Sequence, residues 1–172
     1  MTAKLMTIVA GALLSGCATM GMGDGPTAVA SLASTTGNSA SGSITFTQRG
    51  DKVRVSGQVS GLKPNGVHGF HVHEKGDCSS GDGMSAGGHF NPAGKPHGAQ
   101  GADHHAGDMP NLTADAYGNA TASFELAGVS VGSGAADVVG RGLIVHRDPD
   151  DYKTQPTGNA GPRLACAVIR KA

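Results

Sequence analysis

The stretch Val67–Cys78, VHGFHVHEKGDC, packs three histidines, a carboxylate pair and a cysteine into one short run. Side chains at i and i+2 of a strand share a face, so GFHVHE puts Phe70 and Val72 on one side and His71 and His73 on the other. Two imidazoles held that close repel each other when both are protonated, and a shared cation relieves the conflict. Metal binding is therefore the chemistry this spacing suggests, with a solvated polar face as the competing reading for an isolated H-x-H. The pair is not isolated. All eight histidines fall between positions 68 and 146: His68, His71, His73, His89, His97, His104, His105 and His146. His146 ends the apolar run Gly142–Val145, which puts it on a strand. His97, His105 and Asp108 form a second cluster whose mixed nitrogen and oxygen donors suit zinc. His71, His73 and His146 offer the nitrogen-rich field that suits copper. His89 lies between the two clusters and can serve both.

Those residues need rigid elements, and the composition says which kind. Glycine accounts for 29 of 172 residues and only two glutamates occur, which is poor in helix formers and rich in turns. Without tryptophan, the core must be built from Val, Ile, Leu and Ala. Period-two patterns mark strands at 28–34, 43–48, 53–59, 67–73, 114–117, 121–126, 142–146 and 164–169, with Arg49-Gly50-Asp51 as a tight hairpin. Residues 74–112 carry nine glycines and three prolines with no period, and 148–162 form a second long, turn-rich segment. Loops of that length in a compact domain are usually functional. The expectation is an all-β fold, an eight-stranded Greek-key sandwich or flattened barrel with two long functional loops. Charge is balanced at 13 basic and 13 acidic residues, which argues against nucleic acid as a partner.

The N-terminus, MTAKLMTIVAGALLSGC, has one lysine, a short apolar run and small residues before Cys17, the layout of a secretory signal. Leu14-Ser15-Gly16-Cys17 resembles a bacterial lipoprotein signal, in which the cysteine is lipidated. An ordinary cleaved signal that leaves Cys17 incidental is the alternative. The expected organisation is a signal at 1–16, a flexible tether at 17–27 beginning with lipidated Cys17, and a domain at 28–172. Cys78 and Cys166 then remain as a pair in an oxidising compartment. A bridge closing about 88 residues would stabilise by about 4–5 kcal/mol in the chain-entropy model.

Six ordered motifs, GFHVHEKGDC, GGHFNP, KPHG, HHAGDMPN, GLIVHRDPDD and GNAGPRLACAVI, together resemble the copper–zinc superoxide dismutases, specifically the secreted bacterial ones, over about residues 28–170. The resemblance implies one copper and one zinc per subunit. Copper would be held by His71, His73, His89 and His146, and zinc by His89, His97, His105 and Asp108, with His89 bridging. It implies Arg163 beside the copper as the anion guide, Asp150 as the carboxylate joining copper and zinc histidines, and a Cys78–Cys166 disulfide. Asp151 can replace Asp150 if the DPDD run shifts by one residue. His68 matches a histidine that braces the loop, and His104 has no ligand counterpart. Lys153 is either part of a positive field or merely solvated. Pro162 departs locally from the family pattern and bears on how Arg163 is presented. Asn111 and Asn119 start N-x-T triplets read as incidental. The implied activity is dismutation of superoxide to O₂ and hydrogen peroxide. The competing class is a copper- and zinc-binding or copper-delivery envelope protein without turnover. The implied location is the periplasm, lipid-anchored and sorted to the outer membrane, as a monomer or homodimer.

Overall fold

A computed structural model describes residues 23–172, so the expected signal at 1–16, Cys17 and most of the tether lie outside the described residues. Ten strands follow one another: β1 (Thr27–Ser34), β2 (Ser41–Arg49), β3 (Lys52–Ser60), β4 (Val67–His68), β5 (Phe70–His73), β6 (Leu112–Thr113), β7 (Ala120–Ala127), β8 (Gly142–His146), β9 (Arg163–Val168) and β10 (Arg170–Lys171). One 3-10 turn, Met84–Ala86, interrupts the first long loop. Eight strands form a curled sheet in the order β5-β8-β9-β1-β2-β3-β7, with β10 also paired to β1, and β4 pairs with β6 separately. Every pairing between strands is antiparallel.

β1 makes the curl possible. Its residues Thr27–Leu32 pair with β2, while Ala33 and Ser34 pair with β9. The single strand thereby passes from one half of the flattened barrel to the other, which is the all-β architecture expected from the alternating patterns. Those patterns also select the core. Ile44 and Phe46 of β2, Val53, Val55 and Val59 of β3, and Phe70 and Val72 of β5 are completely buried. Leu126, Leu143 and Val145 meet them from the other strands, and Ile169 from the link between β9 and β10. Each such side chain contributes about 1.5–3 kcal/mol by leaving water.

Two expected strands differ. The run 67–73 is broken at Gly69, whose N–H leaves the ladder to donate to the Asp148 carbonyl at 2.8 Å. A β-carbon there would lie 2.8 Å from the Ala160 methyl, so the second long loop can press against this point only because the residue is glycine. The run 114–117 is a turn, with the strand placed two residues earlier at Leu112–Thr113. Local polar chemistry overrides the weak alternation there: Asp115 Oδ1 accepts the N–H groups of Tyr117 and Asn119 at 2.8 and 2.9 Å.

Candidate metal centre

β5 lies between core and loops. Phe70 and Val72 enter the core as the alternation requires, but His71 and His73 do not face solvent as a bare strand face would: both are buried as deeply as their neighbours. The first long loop folds back over them. Val72 donates to Gly107 O and accepts from Phe90 N, both at 2.9 Å, and Gly107 N donates to Phe90 O at 2.8 Å. Isolated bridges pair His71 with Asp108 and His73 with His89. Gly107 is needed for this approach, since a β-carbon would overlap the Val72 carbonyl. From the other side, His146 ends β8 opposite Arg163, with a register shift between Val145 and His146. Such irregularities re-aim side chains.

The folding brings together two groups of ligand-capable side chains. One atom each from His71, His73, His89 and His146 lie within 4.8 Å of one another, and so do one each from His89, His97, His105 and Asp108. His89 is the only residue common to both. Hydrogen bonds on the far side of each ring determine which nitrogen is left for a cation. His73 Nδ1 meets the Gly87 carbonyl at 2.9 Å and His146 Nδ1 meets the Gly161 carbonyl at 3.1 Å. A carbonyl accepts only, so each ring carries its proton on Nδ1 and turns an Nε2 lone pair inward. Those two Nε2 atoms lie 3.3 Å apart. Two facing lone pairs repel, and a cation between them removes the conflict.

The remaining rings follow the same logic. His71 Nε2 is taken by Asp150 Oδ2 at 2.8 Å, leaving Nδ1 buried without a partner. His97 Nε2 is taken by Asp150 Oδ1 at 2.9 Å, also leaving Nδ1 without a hydrogen bond. His97 Nδ1 and His105 Nδ1 approach Asp108 carboxylate oxygens to 3.0 and 3.4 Å without hydrogen-bonding alignment, as donors converging on a common ion do. His89 has Nδ1 at 2.8 Å from Asp108 Oδ1 and an unpartnered buried Nε2. Carboxylate–histidine contacts of this sort orient ligand rings and fix their tautomers.

Electrostatics agree with ligation. Burial pushes His71 and His73 well below the ordinary imidazole range, with the neighbouring His89 and His146 adding to it. His146 is pushed down to about 4, again chiefly by burial. His105 is lowered by burial too, against the pull of Asp108. At Asp108 burial opposes ionisation, yet the His89 contact, the Gly98 N–H and the neighbouring imidazoles outweigh it and hold the carboxyl well below the usual range. At His71, His73, His105 and His146 the neutral imidazole is thereby favoured, and at Asp108 the ionised carboxylate, the protonation states metal ligation needs.

Arg163 is half-buried at the start of β9. Its Nη1 donates to Gly83 O at 2.7 Å and its Nη2 to Gly87 O at 2.6 Å. Burial lowers its pKa somewhat and Asp82 opposes that. A guanidinium stays charged through neutral pH regardless. Pro162 does not disturb this presentation: it precedes the ladder, and its carbonyl accepts Arg147 N–H at 2.8 Å. Cys78 and Cys166 are disulfide-bonded across a separation of 88 residues, tying the first loop to β9.

The second-loop carboxylate is Asp150. Asp151 instead accepts the N–H groups of Lys153 and Thr154 and the Thr154 hydroxyl. His68 sits apart from both groups and donates through Nδ1 to the His146 carbonyl at 2.9 Å, a brace under the end of β8. His104 contacts the His105 carbonyl and joins neither group, and Lys153 is exposed. Sequence reasoning missed three polar residues that hold the loops in place: Asn111, Tyr152 and Gln155. Asn111 carries a weak signal, the N-x-T triplet, but its side chain is engaged by the Asp150 main chain.

A family model described as copper/zinc superoxide dismutase matches residues 40–169. Among solved structures, the crystal structure of the clock protein EA4 is similar, with 41% sequence identity, a TM-score of 0.77, and coverage of 85% of this chain and 94% of that one. The family binds copper and zinc, and the two histidine groups fit those ions by donor type, tautomer and charge. The chain belongs to the copper/zinc superoxide dismutase family.

Proposed function

We propose that this protein dismutates superoxide to O₂ and hydrogen peroxide, with copper held by His71, His73, His89 and His146 and zinc by His89, His97, His105 and Asp108. The observation that carries this reading is His89, which alone belongs to both groups, with its Nδ1 against Asp108 Oδ1 and its buried Nε2 left without a hydrogen-bond partner. When bound, copper would supply the redox couple that carries one electron from one superoxide to a second, and zinc would supply fixed positive charge without redox change. The residues do the rest. His89 Nε2 is positioned to take up a proton in one half of the cycle and to give it to the reduced dioxygen in the other. Solvent supplies the second proton of the peroxide. Asp108, whose Oδ1 faces His89 Nδ1 at 2.8 Å, would share zinc with that edge of the ring and so keep it in place. Arg163, anchored on two carbonyls, presents a fixed positive charge that attracts and orients a small anion.

The test is the copper- and zinc-loaded protein against His146→Ala. Loading should give superoxide dismutation, and the variant should lose that activity while zinc stays bound. Full activity in the variant would overturn the copper assignment. The second reading, a metal-binding protein without turnover, draws on the description of a 41%-identical relative as a clock protein. It predicts both metals bound and no dismutation in the loaded wild type.

The N-terminal sequence extends the proposal to an envelope lipoprotein, lipidated at Cys17, facing the periplasm and sorted to the outer membrane, where it removes superoxide as a monomer or homodimer. Mass spectrometry of the native N-terminus tests lipidation, and sedimentation of the delipidated protein gives the oligomeric state.

A further inference from the structure

We infer that Asn111 is a positioning residue for the zinc half of the site: it fixes the main chain of Asp150 and, through the Asp150 carboxylate, the ring of His97. The inference rests on zinc occupying the group His89, His97, His105 and Asp108.

Asn111 imitates a peptide unit. Its Oδ1 accepts the Asp150 N–H at 2.9 Å and its Nδ2 donates to the Asp150 carbonyl at 3.0 Å, as a neighbouring strand would. A third residue closes the arrangement: Asn111 N–H donates to the Tyr152 hydroxyl at 2.8 Å, and Tyr152 N–H donates to Asp150 Oδ1 at 2.7 Å. Tyr152 holds a left-handed backbone with φ of 57°, which a bulky residue adopts only where its surroundings impose it. The Asp150 carboxylate so placed reaches His97 Nε2 with one oxygen and His71 Nε2 with the other.

The platform beneath Asn111 is rigid on both sides. Three residues earlier lies Asp108, and the next residue, Leu112, is buried in the core and paired with His68. Asn111 therefore carries the register of the core across to the second long loop, which is exposed over Asp151 and Lys153–Pro156. His97 depends on that transfer more than His71 does. His71 is already held by its strand pairing with Ile144, whereas His97 lies in a loop. A second carboxamide acts on His97 directly: Gln155 Oε1 accepts its N–H at 2.9 Å and Gln155 Nε2 donates to its carbonyl at 2.8 Å. Gln155 is exposed, so water competes for those bonds and its contribution is the smaller one.

The experiment measures Zn²⁺ affinity of the full, disulfide-bonded chain by competition with a chelating dye, with the Co²⁺ ligand-field spectrum as a report on ligand geometry. Asn111→Ala should weaken zinc about 10–100-fold, the usual cost of losing a partner that orients a ligand, and shift the Co²⁺ spectrum. Gln155→Ala should weaken it less. In an Asp150→Ala background the Asn111→Ala change should cost no more than about 2–3-fold, because the carboxylate that transmits it is gone. Unchanged zinc affinity in Asn111→Ala, or the same loss in both backgrounds, would overturn the inference. If Asn111→Ala does not fold, Tyr152→Phe removes only the hydroxyl that Asn111 N–H uses and must weaken zinc in the same direction; wild-type affinity there also overturns it. A wild-type protein whose zinc affinity is untouched by His105→Ala would instead refute the zinc assignment itself.

Discussion

His73 and Arg163 share one acceptor: the Gly87 carbonyl takes His73 Nδ1–H at 2.9 Å and Arg163 Nη2–H at 2.6 Å. A proposed copper ligand and the proposed anion guide are thereby set from a single atom of the first long loop. Their relative position depends on that loop and on the disulfide that ties it to β9. Arg163→Ala should lower the bimolecular rate with superoxide by about 10-fold at low ionic strength and flatten its salt dependence. Arg163→Lys should recover only part of the rate, since an ammonium lacks the planar fork that reaches both Gly83 and Gly87. Rate measurements across ionic strength read both effects, and an unchanged salt slope in Arg163→Ala would remove Arg163 from the guiding role.

The disulfide carries a stability prediction. Replacing Cys78 and Cys166 together with serine frees an 88-residue segment. The expected loss is about 2–5 kcal/mol in urea unfolding. Activity per bound copper should fall as well, because the Gly83 and Gly87 carbonyls lose their tether.

Gly158 tests the geometry around Asp150. Its φ is +65°, and a β-carbon would overlap the Asp150 carboxylate and lie 2.6 Å from His97 Nε2. Gly158→Ala should cost at least about 1 kcal/mol in stability from the backbone alone. It should also weaken zinc retention while leaving the His73–His146 pair in place. Metal analysis after dialysis against a mild chelator separates the two.

Metal removal should destabilise the fold, because the buried ring nitrogens then lose their only compensation. An ion present at a thousandfold excess over its dissociation constant contributes about 4 kcal/mol. Calorimetry with and without chelator should show a lowered Tm that recovers on adding zinc and copper. An unchanged Tm would mean the groups do not bind ions in the folded state.

Asp151 gives the pH dependence a defined direction. The Thr154 hydroxyl and the Thr154 and Lys153 N–H groups hold its carboxyl down to about 2. A depressed carboxyl stabilises the fold fully above its unfolded value of about 4 and loses that contribution as pH falls toward the folded value. The Tm difference between wild type and Asp151→Ala should be largest near pH 6 and should shrink as pH is lowered below about 4.

Much was legible because it is local. The alternation of Phe70, His71, Val72 and His73 separates core from site on any strand, and Val53, Val55 and Val59 mark a buried face in the same way. What misled was equally local. Gly69 reads as a permissible strand residue, and only the nearby Asp148 carbonyl and Ala160 show that it ends one. Ala114–Tyr117 alternates weakly, and the side chain of Asp115 captured the turn instead.

By itself the sequence determined the donor set: which imidazoles and carboxylates exist, which lie on strands, and that two loops must bring the others to them. Residue type and strand period decide those points, and both act over a few positions. Only the tertiary structure decided which nitrogen of each ring is free, because the Gly87 and Gly161 carbonyls and the Asp150 carboxylate choose the tautomer, and each is distant in sequence from at least one ring it holds. It likewise decided between Asp150 and Asp151 and revealed Asn111. A hydrogen bond is specific to ångströms and angles, and those emerge only when the chain has closed on itself.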